Sequence, residues 1–435
     1  MSKNSILYKD GVSFVLPFIL ITSCFALWGF ANDVTNPMVK AFSKIFRMSV
    51  TDGAMVQVAF YGGYFAMAFP AAMFIRKYSY KAGILMGLGL YALGAAMFLP
   101  AKEIGVYPVF LLAYFILTCG LSFLETTCNP YILSMGTEET ATRRLNLAQS
   151  FNPIGSLCGM FVAMNFIQAK LNPMSSEERA LLDDAQFDVL KEADLSVLIM
   201  PYLWIALVIA LMFVVIWLAK MPKNGDKSHD INFIPTLKRI FGIPRYREGV
   251  VAQFFYIGAQ IMCWTFVIQY GTRYFMQVEG MDERSAEVLS QQFNIYAMIL
   301  FCLSRFICTF FLRYIQPGTL LKILAIAGGM FTCGVIASTD SRMGLYCLIA
   351  VSGCMSLMFP TIYGMALKGL GDDAKFGAAG LIMAILGGSI LPPLQAAIID
   401  MGEIGNFPAV NVSFVLPFIC FVVVAYYGWR SAYYK

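Results

Sequence analysis

The sequence predicts an all-α membrane protein with twelve transmembrane helices in two six-helix bundles. Of its 435 residues, 59% are hydrophobic and 13% are charged, whereas soluble domains carry about 25% charged residues. The apolar residues form long runs rather than alternating ten-residue strands, which excludes an outer-membrane barrel. One long basic stretch, 220–249, separates six apolar runs on either side. This composition also excludes a soluble enzyme and a disordered regulator.

Each apolar run approaches the roughly 20 residues that a bilayer-spanning helix needs. Hydropathy places the helices at 13–38, 53–75, 82–100, 107–134, 145–168, 197–219, 250–275, 288–312, 319–338, 343–366, 377–399 and 408–428. We therefore expect an N-terminal bundle over 1–219, a cytoplasmic linker over 220–249 and a C-terminal bundle over 250–435. A weak similarity between 120–131 and 353–363 supports a duplicated six-helix unit.

The basic residues predict the orientation of the chain. Alternating loops place 20 of the 31 Lys and Arg residues on the side of both termini and 10 on the other, with Arg305 inside a helix. Because cytoplasmic loops carry the excess of Lys and Arg, we expect both termini in the cytoplasm. The acidic loop 169–196 then lies outside, and its apolar spacing suggests a short surface helix.

No motif of cofactor chemistry is present in the sequence. It has no phosphate-binding loop, no His-Glu-x-x-His and no Cys/His metal cluster, and its one histidine, His229, lies in the linker. The eleven cysteines all fall within apolar runs, where they act as small hydrophobic residues. We expect no cofactor, no metal and no enzymatic activity. The net charge of +5 does not indicate a nucleic-acid partner in a chain this apolar.

Three ionisable residues fall inside predicted helices: Asp33, Glu125 and Arg305. A charged side chain at a helix centre costs about 2.5–3.5 kcal/mol on insertion scales, so such groups usually face a polar cavity or a partner. Glu125 could bind and release a proton, or form a helix-packing hydrogen bond. Asp33 could act in coupling or lie at a wetted helix end. Arg305 could contact a substrate, or pair with a carboxylate or backbone carbonyls.

Amide and aromatic side chains surround these charges. Asn and Gln provide paired donors and acceptors without net charge, and an aromatic face accepts the C–H surface of a sugar, so this set predicts an uncharged polyol as the ligand. Hydrogen bonding between helices is the alternative role for each amide. Spacings of three and four place several of them on shared helix faces. The candidate sugar-binding residues are Asn32, Asn36, Gln149, Asn152, Gln253, Tyr256, Gln260, Trp264, Asn294, Arg305 and Tyr363.

Several segments resemble the fucose–proton symporter family of the major facilitator superfamily, and the resemblance runs nearly end to end. It implies the major facilitator fold and proton-coupled sugar uptake across a bacterial cytoplasmic membrane by alternating access. It also implies that Glu125 is the proton-linked acid and that Gln149 and Asn152 contact the sugar. The segments are 27–33, 79–85, 124–130 (Leu-Glu-Thr-Thr-Cys-Asn-Pro), 144–152, 256–264, 359–363 (Phe-Pro-Thr-Ile-Tyr) and 369–377.

Helix 1 departs from the pattern of fucose carriers, which reads Trp-x-x-Ala-Asn-Asn-x-Asn-Asp. The final acid of that pattern is replaced by Asn36, and an acid stands three positions earlier, at Asp33. Residues three apart share a helix face, so we expect Asp33 to take over the coupling role. We expect L-fucose to be the substrate. We also expect the protein to be a monomer in the lipid bilayer. The alternatives are another hexose (glucose, galactose or N-acetylglucosamine) and a non-transporting sugar sensor.

Overall fold

The computed structural model describes residues 7–9, 12–35, 38–48, 52, 55–174, 176–222 and 233–433. Within these ranges, twelve helical segments are long and apolar enough to cross a bilayer, which confirms the predicted number. We call them spans 1 to 12. They are Val15–Val34, Val58–Lys77, Tyr80–Ile104, Tyr107–Ser134, Ala141–Ile167, Asp184–Leu218, Pro244–Gln277, Ser285–Phe311, Pro317–Ala337, Met343–Leu367, Gly371–Ile399 and Ala409–Tyr433.

Several spans are divided into shorter helices. The helices of spans 1 to 6 are Val15–Thr35, Met55–Lys77, Tyr80–Ala96 with Phe98–Ile104, Tyr107–Ser134, Ala141–Gln149 with Asn152–Val162 and the π-helix Ala163–Gln168, and Asp184–Leu218. Those of spans 7 to 12 are Pro244–Gln277, Glu283–Phe311, Pro317–Ala337, Met343–Met355 with Met358–Leu367, Ala374–Met383 with Gly387–Ile399, and Ala409–Ser413 with Val415–Arg430.

Short elements connect the spans. Two antiparallel strand pairs join Tyr8–Lys9 to Val12–Ser13 and Glu403–Ile404 to Phe407–Pro408. The remaining helices are Met38–Ile45, Ser176–Ala180 and Phe233–Phe241, with 3-10 turns at Gly371–Asp373, Ala384–Leu386 and Ser431–Tyr433.

Span 6 begins at Asp184, well before the predicted start at 197. The Asp183 carboxylate caps this helix by accepting from the Gln186 N–H at 2.7 Å. Inside the helix, Asp194 pairs with Arg179 at 2.7 Å, and their side chains are only 3% and 1% exposed. The acidic residues of this segment lower its hydropathy, whereas the cap and the buried ion pair stabilise the helix. The predicted surface helix is therefore divided between Ser176–Ala180 and an extension of span 6.

The chain forms two compact units. One comprises Met1–Met135 with Phe151–Ile231, and the other comprises Gly136–Ser150 with Asn232–Lys435. The division falls within span 5, between the helices Ala141–Gln149 and Asn152–Val162. Pro153 stands at this break, and a proline lacks the N–H that would continue the helix ladder. The bundle boundary at 220–249 stays a prediction.

In the first unit, aromatic rings from spans 3, 4 and 6 form a packed cluster. The rings of Phe98 and Tyr202 stack with centroids 4.1 Å apart, and the hydroxyls of Tyr114 and Tyr202 are 2.6 Å apart. A buried tyrosine keeps its hydroxyl hydrogen-bonded in this way while its ring contributes apolar contact. The cluster therefore joins three spans without leaving these two hydroxyls unsatisfied.

In the second unit, side chains satisfy the end of span 9. The Tyr270 hydroxyl donates to the Ser338 carbonyl at 2.6 Å, and the Asn411 amide donates to the same carbonyl at 3.1 Å. The last carbonyls of a helix have no partner within the helix, so spans 7 and 12 cap span 9. Nearby, Arg342 forms two 2.6 Å hydrogen bonds to Glu279, and these lower the pKa of the Glu279 carboxyl.

Spans 3 and 4 approach closely at glycine, a residue that lets helix backbones come into contact. A Cβ atom at Gly94 would lie 2.3 Å from the backbone nitrogen of Leu117. At Gly89, on the same span, the nearest such atom would be 3.8 Å away, on the Phe213 ring. Gly94 is therefore required for backbone contact, and Gly89 is not.

We expect Gly94→Ala to lower the free energy of unfolding by about 1–3 kcal/mol, because the backbone of span 4 cannot yield to the added methyl group. Gly89→Ala is the matched control, and its melting temperature in detergent should stay level or rise slightly, since alanine favours helix. Equal melting temperatures for the two variants would contradict the packing described here.

Candidate functional site

Glu125 lies on span 4 inside the first unit and is 7% exposed. Its Oε1 atom accepts a hydrogen bond from the Tyr64 hydroxyl of span 2 at 3.2 Å. The Asn129 amide donates to the Glu125 carbonyl at 3.0 Å, and the Ser122 hydroxyl donates to the Tyr64 carbonyl at 3.0 Å. The carboxyl group is therefore buried within the bundle and accepts a hydrogen bond from a hydroxyl of span 2.

Asp33 lies on span 1 of the same unit and is half-buried. It is within electrostatic range of the Tyr61 hydroxyl. Tyr61 and Tyr64 are three residues apart and so share a face of span 2. Span 2 thus presents one tyrosine toward each membrane acid. Asn32, beside Asp33, is also half-buried, and Asn36 lies outside the described residues.

Asn152, at the start of the second helix of span 5, contacts span 1. Its Nδ2 atom donates to the Phe25 carbonyl at 3.1 Å. A Cβ atom at Gly29 would come within 2.2 Å of the Asn152 carbonyl oxygen, and one at Gly155 within 1.8 Å of the Ala26 carbonyl oxygen. The amide of Asn152 is therefore set by close backbone packing of spans 1 and 5. The side chain keeps partial exposure.

In the second unit, spans 7 and 8 converge on a break in span 10. The helix Met343–Met355 ends there and Met358–Leu367 begins. The Tyr256 hydroxyl donates to the Met355 carbonyl at 3.2 Å, and the Trp264 Nε1 atom donates to the Ser352 hydroxyl at 3.0 Å. Tyr256 is fully buried and Trp264 is half-buried. Two predicted residues of span 7 are thus brought to one segment of span 10.

Arg305 reaches the same segment from span 8. Its Nε atom donates to the Ser356 carbonyl at 2.5 Å, and its Nη1 atom donates to the Gln149 carbonyl at 3.0 Å. The guanidinium carbon also lies 4.6 Å from the centroid of the Phe301 ring. The side chain is 3% exposed. These contacts correspond to the backbone-carbonyl role, one of the two roles left open by the sequence.

The other predicted residues of the second unit differ in exposure. Gln253 is completely buried, and neither atom of its amide has a hydrogen bond within the described part of the chain. Tyr363 is also buried and stacks on Phe359 with centroids 6.0 Å apart. Gln149 is 4% exposed, whereas Gln260 and Asn294 are half-buried. The face predicted for span 7 is thus packed at one end and partly accessible at the other.

Sequence reasoning missed the partners of the charged residues. Tyr64 and Tyr61 were not among the candidates, and neither were Ser352 and Ser356. The Tyr-Gly-Gly-Tyr spacing at 61–64 is the signal that places both hydroxyls on one helix face. Among the described residues, no three His, Cys, Asp or Glu side chains lie close enough together to hold a metal ion.

The family model of the Major Facilitator Superfamily matches residues 20–393. The chain is 50% identical over 428 residues to the L-fucose-proton symporter of Haemophilus influenzae, covering 96% of this chain and 97% of that protein. It is 30% identical to the glucose/galactose transporter of Brucella abortus, covering 94% and 92%. The crystal structure of the Escherichia coli fucose:proton symporter superposes with a TM-score of 0.87 at 31% identity, covering 97% and 99%.

These matches agree with the twelve spans and with the near end-to-end resemblance seen in the sequence. The family model alone covers most of the chain, from span 1 into span 11. The chain belongs to the Major Facilitator Superfamily.

Proposed function

We propose that this chain is a proton-coupled sugar symporter that takes up L-fucose across the bacterial cytoplasmic membrane by alternating access. The observation that carries the proposal is the buried Glu125 carboxyl, held at 3.2 Å by Tyr64, in a chain half identical to an L-fucose-proton symporter. A symporter needs an acid that can be neutral or charged inside the membrane, and Glu125 is such a group.

Glu125 is the residue that carries the coupled proton. Its 7% exposure leaves it buried but not sealed, so a proton can reach it. Coupling requires that the proton and the sugar each raise the affinity for the other by the same factor. One proton moving down about 100 mV supplies roughly 2.3 kcal/mol, enough for about fifty-fold accumulation of sugar. Asp33 takes the second coupling position, on span 1.

The sugar is bound by amides and aromatic faces rather than by charges. Asn32, Asn152, Gln260 and Asn294 keep partial exposure, and so does Trp264, so each retains surface for a ligand. Gln149 is also proposed as a sugar contact, because it lies in the segment 144–152, which resembles the fucose–proton symporter family. Gln253, Tyr256 and Tyr363 are buried, and we propose that they support the partly exposed residues of the second unit. An uncharged hexose matches such donors and acceptors.

A carrier for glucose or galactose is the second candidate, because a transporter of that description from Brucella abortus is 30% identical to the chain. The higher identity of the fucose relative favours L-fucose. N-acetylglucosamine transport and a non-transporting sensor stay as alternatives for the tests below. The charge distribution supports the placement of both termini in the cytoplasm, and we propose that the chain acts as a monomer.

We expect Glu125→Gln to abolish concentrative fucose uptake while leaving fucose exchange measurable, because glutamine keeps the shape of the side chain but cannot carry a proton. The measurement is uptake into vesicles with an imposed proton gradient, beside counterflow without one. Glu103→Gln, at an exposed acid of the same unit, is the matched control and should concentrate fucose normally. Accumulation against a gradient by the Glu125 variant would refute the proton assignment.

We expect Tyr64→Phe to shift the midpoint of the pH dependence of fucose affinity, because the variant loses the hydroxyl that donates to the Glu125 carboxyl at 3.2 Å. Among the described residues, Tyr64 and Cys128 are titratable groups within electrostatic range of Glu125. Tryptophan fluorescence titrations between pH 5 and 10 give the midpoint at which affinity is halved.

Tyr114→Phe is the control for this shift, since it also removes a buried tyrosine hydroxyl from a 2.6 Å contact in the first unit. Its midpoint should equal that of the unaltered protein. An unchanged midpoint in Tyr64→Phe would show that this hydroxyl does not tune Glu125.

Substrate choice is tested by fluorescence titration with L-fucose, galactose, glucose and N-acetylglucosamine. We expect the largest affinity for L-fucose, with a signal from the half-buried Trp264 that is lost in Trp264→Phe. Counterflow of the bound sugar in proteoliposomes separates a carrier from a sensor. Sugar binding without counterflow would indicate a non-transporting sensor. A higher affinity for another hexose would show that L-fucose is not the preferred substrate.

A further inference from the structure

Two prolines each remove a backbone hydrogen bond from a helix, and the same arginine contacts both affected carbonyls. In an α-helix the N–H of each residue bonds to the carbonyl four residues earlier. Pro153 lacks that N–H, so it cannot donate to the Gln149 carbonyl, and Pro360 likewise cannot donate to the Ser356 carbonyl. The helices Ala141–Gln149 and Met343–Met355 both end at these positions.

Arg305 donates to both of these carbonyls. Its Nη1 atom is 3.0 Å from the Gln149 carbonyl oxygen, and its Nε atom is 2.5 Å from that of Ser356. Gln149 and Ser356 are 4% and 0% exposed. Because a buried backbone carbonyl without a partner is strongly unfavourable, these contacts replace the bonds that the two prolines remove.

The side chain is suited to this bridge in two ways. A guanidinium holds its donors in one rigid plane, so Nε and Nη1 can address two acceptors at fixed directions. The face of that plane lies against Phe301, with 4.6 Å between the guanidinium carbon and the ring centroid. A lysine ammonium has neither the plane nor the fixed spread of donors.

We propose that Arg305 is a positioning residue. It bridges the carbonyls of Gln149 and Ser356, to which Pro153 and Pro360 cannot donate, and so holds the Gln149 segment against span 10. It acts on the sugar through Gln149 and does not use its charge to bind substrate. The inference rests on the proposed transport function for its activity readout, since Gln149 is a candidate sugar contact. A second bond supports the placement, because the Asn146 amide donates to the Thr361 hydroxyl at 3.1 Å.

The test is a double-mutant cycle between Arg305→Met and Pro360→Ala. Pro360→Ala restores a backbone N–H that can donate to the Ser356 carbonyl. That carbonyl then depends less on Arg305 for a hydrogen bond. We expect Arg305→Met to slow fucose counterflow about 100-fold in the parent protein, and about tenfold in the Pro360→Ala background. Melting temperatures of the same four proteins should show the same non-additivity, and that readout needs no substrate.

Arg305→Lys distinguishes the bridge from a charge effect. Lysine retains the positive charge but cannot hold both carbonyls, so we expect its counterflow to resemble that of Arg305→Met. If the loss from Arg305→Met is equal in both backgrounds, by rate and by melting temperature, the bridge is disproved. Near-normal counterflow in Arg305→Lys would also disprove it. Absence of fucose counterflow in the parent protein would instead reject the proposed function, and the melting-temperature cycle would still decide the role of Arg305.

Discussion

The constraint on which this structure depends is that a membrane interior offers no water to an unpaired polar group. Every break in a helix and every buried charge must find its partner within the protein. Near Pro153 and Pro360, Arg305 donates to two backbone carbonyls. The Tyr256 hydroxyl donates to the Met355 carbonyl. The same requirement explains why a buried arginine is tolerated, since its donors meet the carbonyls of Gln149 and Ser356.

The spans could be predicted because their length and hydropathy follow directly from bilayer thickness. The start of span 6 could not, because Asp194 makes the segment look polar, and only the fold brings Arg179 to it. Glu125 could be singled out because an acid is rare in an apolar run. Tyr64 could not, since it is one of 22 tyrosines and its position matters only once span 2 packs on span 4. Gln253 was predicted to bind sugar but is buried, because helix spacing predicts which residues share a face and not whether that face is exposed.

The chemistry is distributed within each unit in a consistent way. The acids Glu125 and Asp33 lie in the first unit, each with a tyrosine of span 2 nearby. Gln149, Tyr256, Trp264 and Arg305 belong to the second unit, where they meet on the break of span 10. The proposed symport requires that proton binding to the acids depend on sugar binding elsewhere in the protein, which is a coupling free energy between sites.

The proposal that sugar and proton move together is tested by the pH outside de-energised vesicles when L-fucose is added. We expect a prompt alkalinisation of the weakly buffered medium, in proportion to the fucose that enters, and we expect a protonophore to abolish it. Fucose entry with no change in external pH would rule out proton symport, whatever the affinity for the sugar.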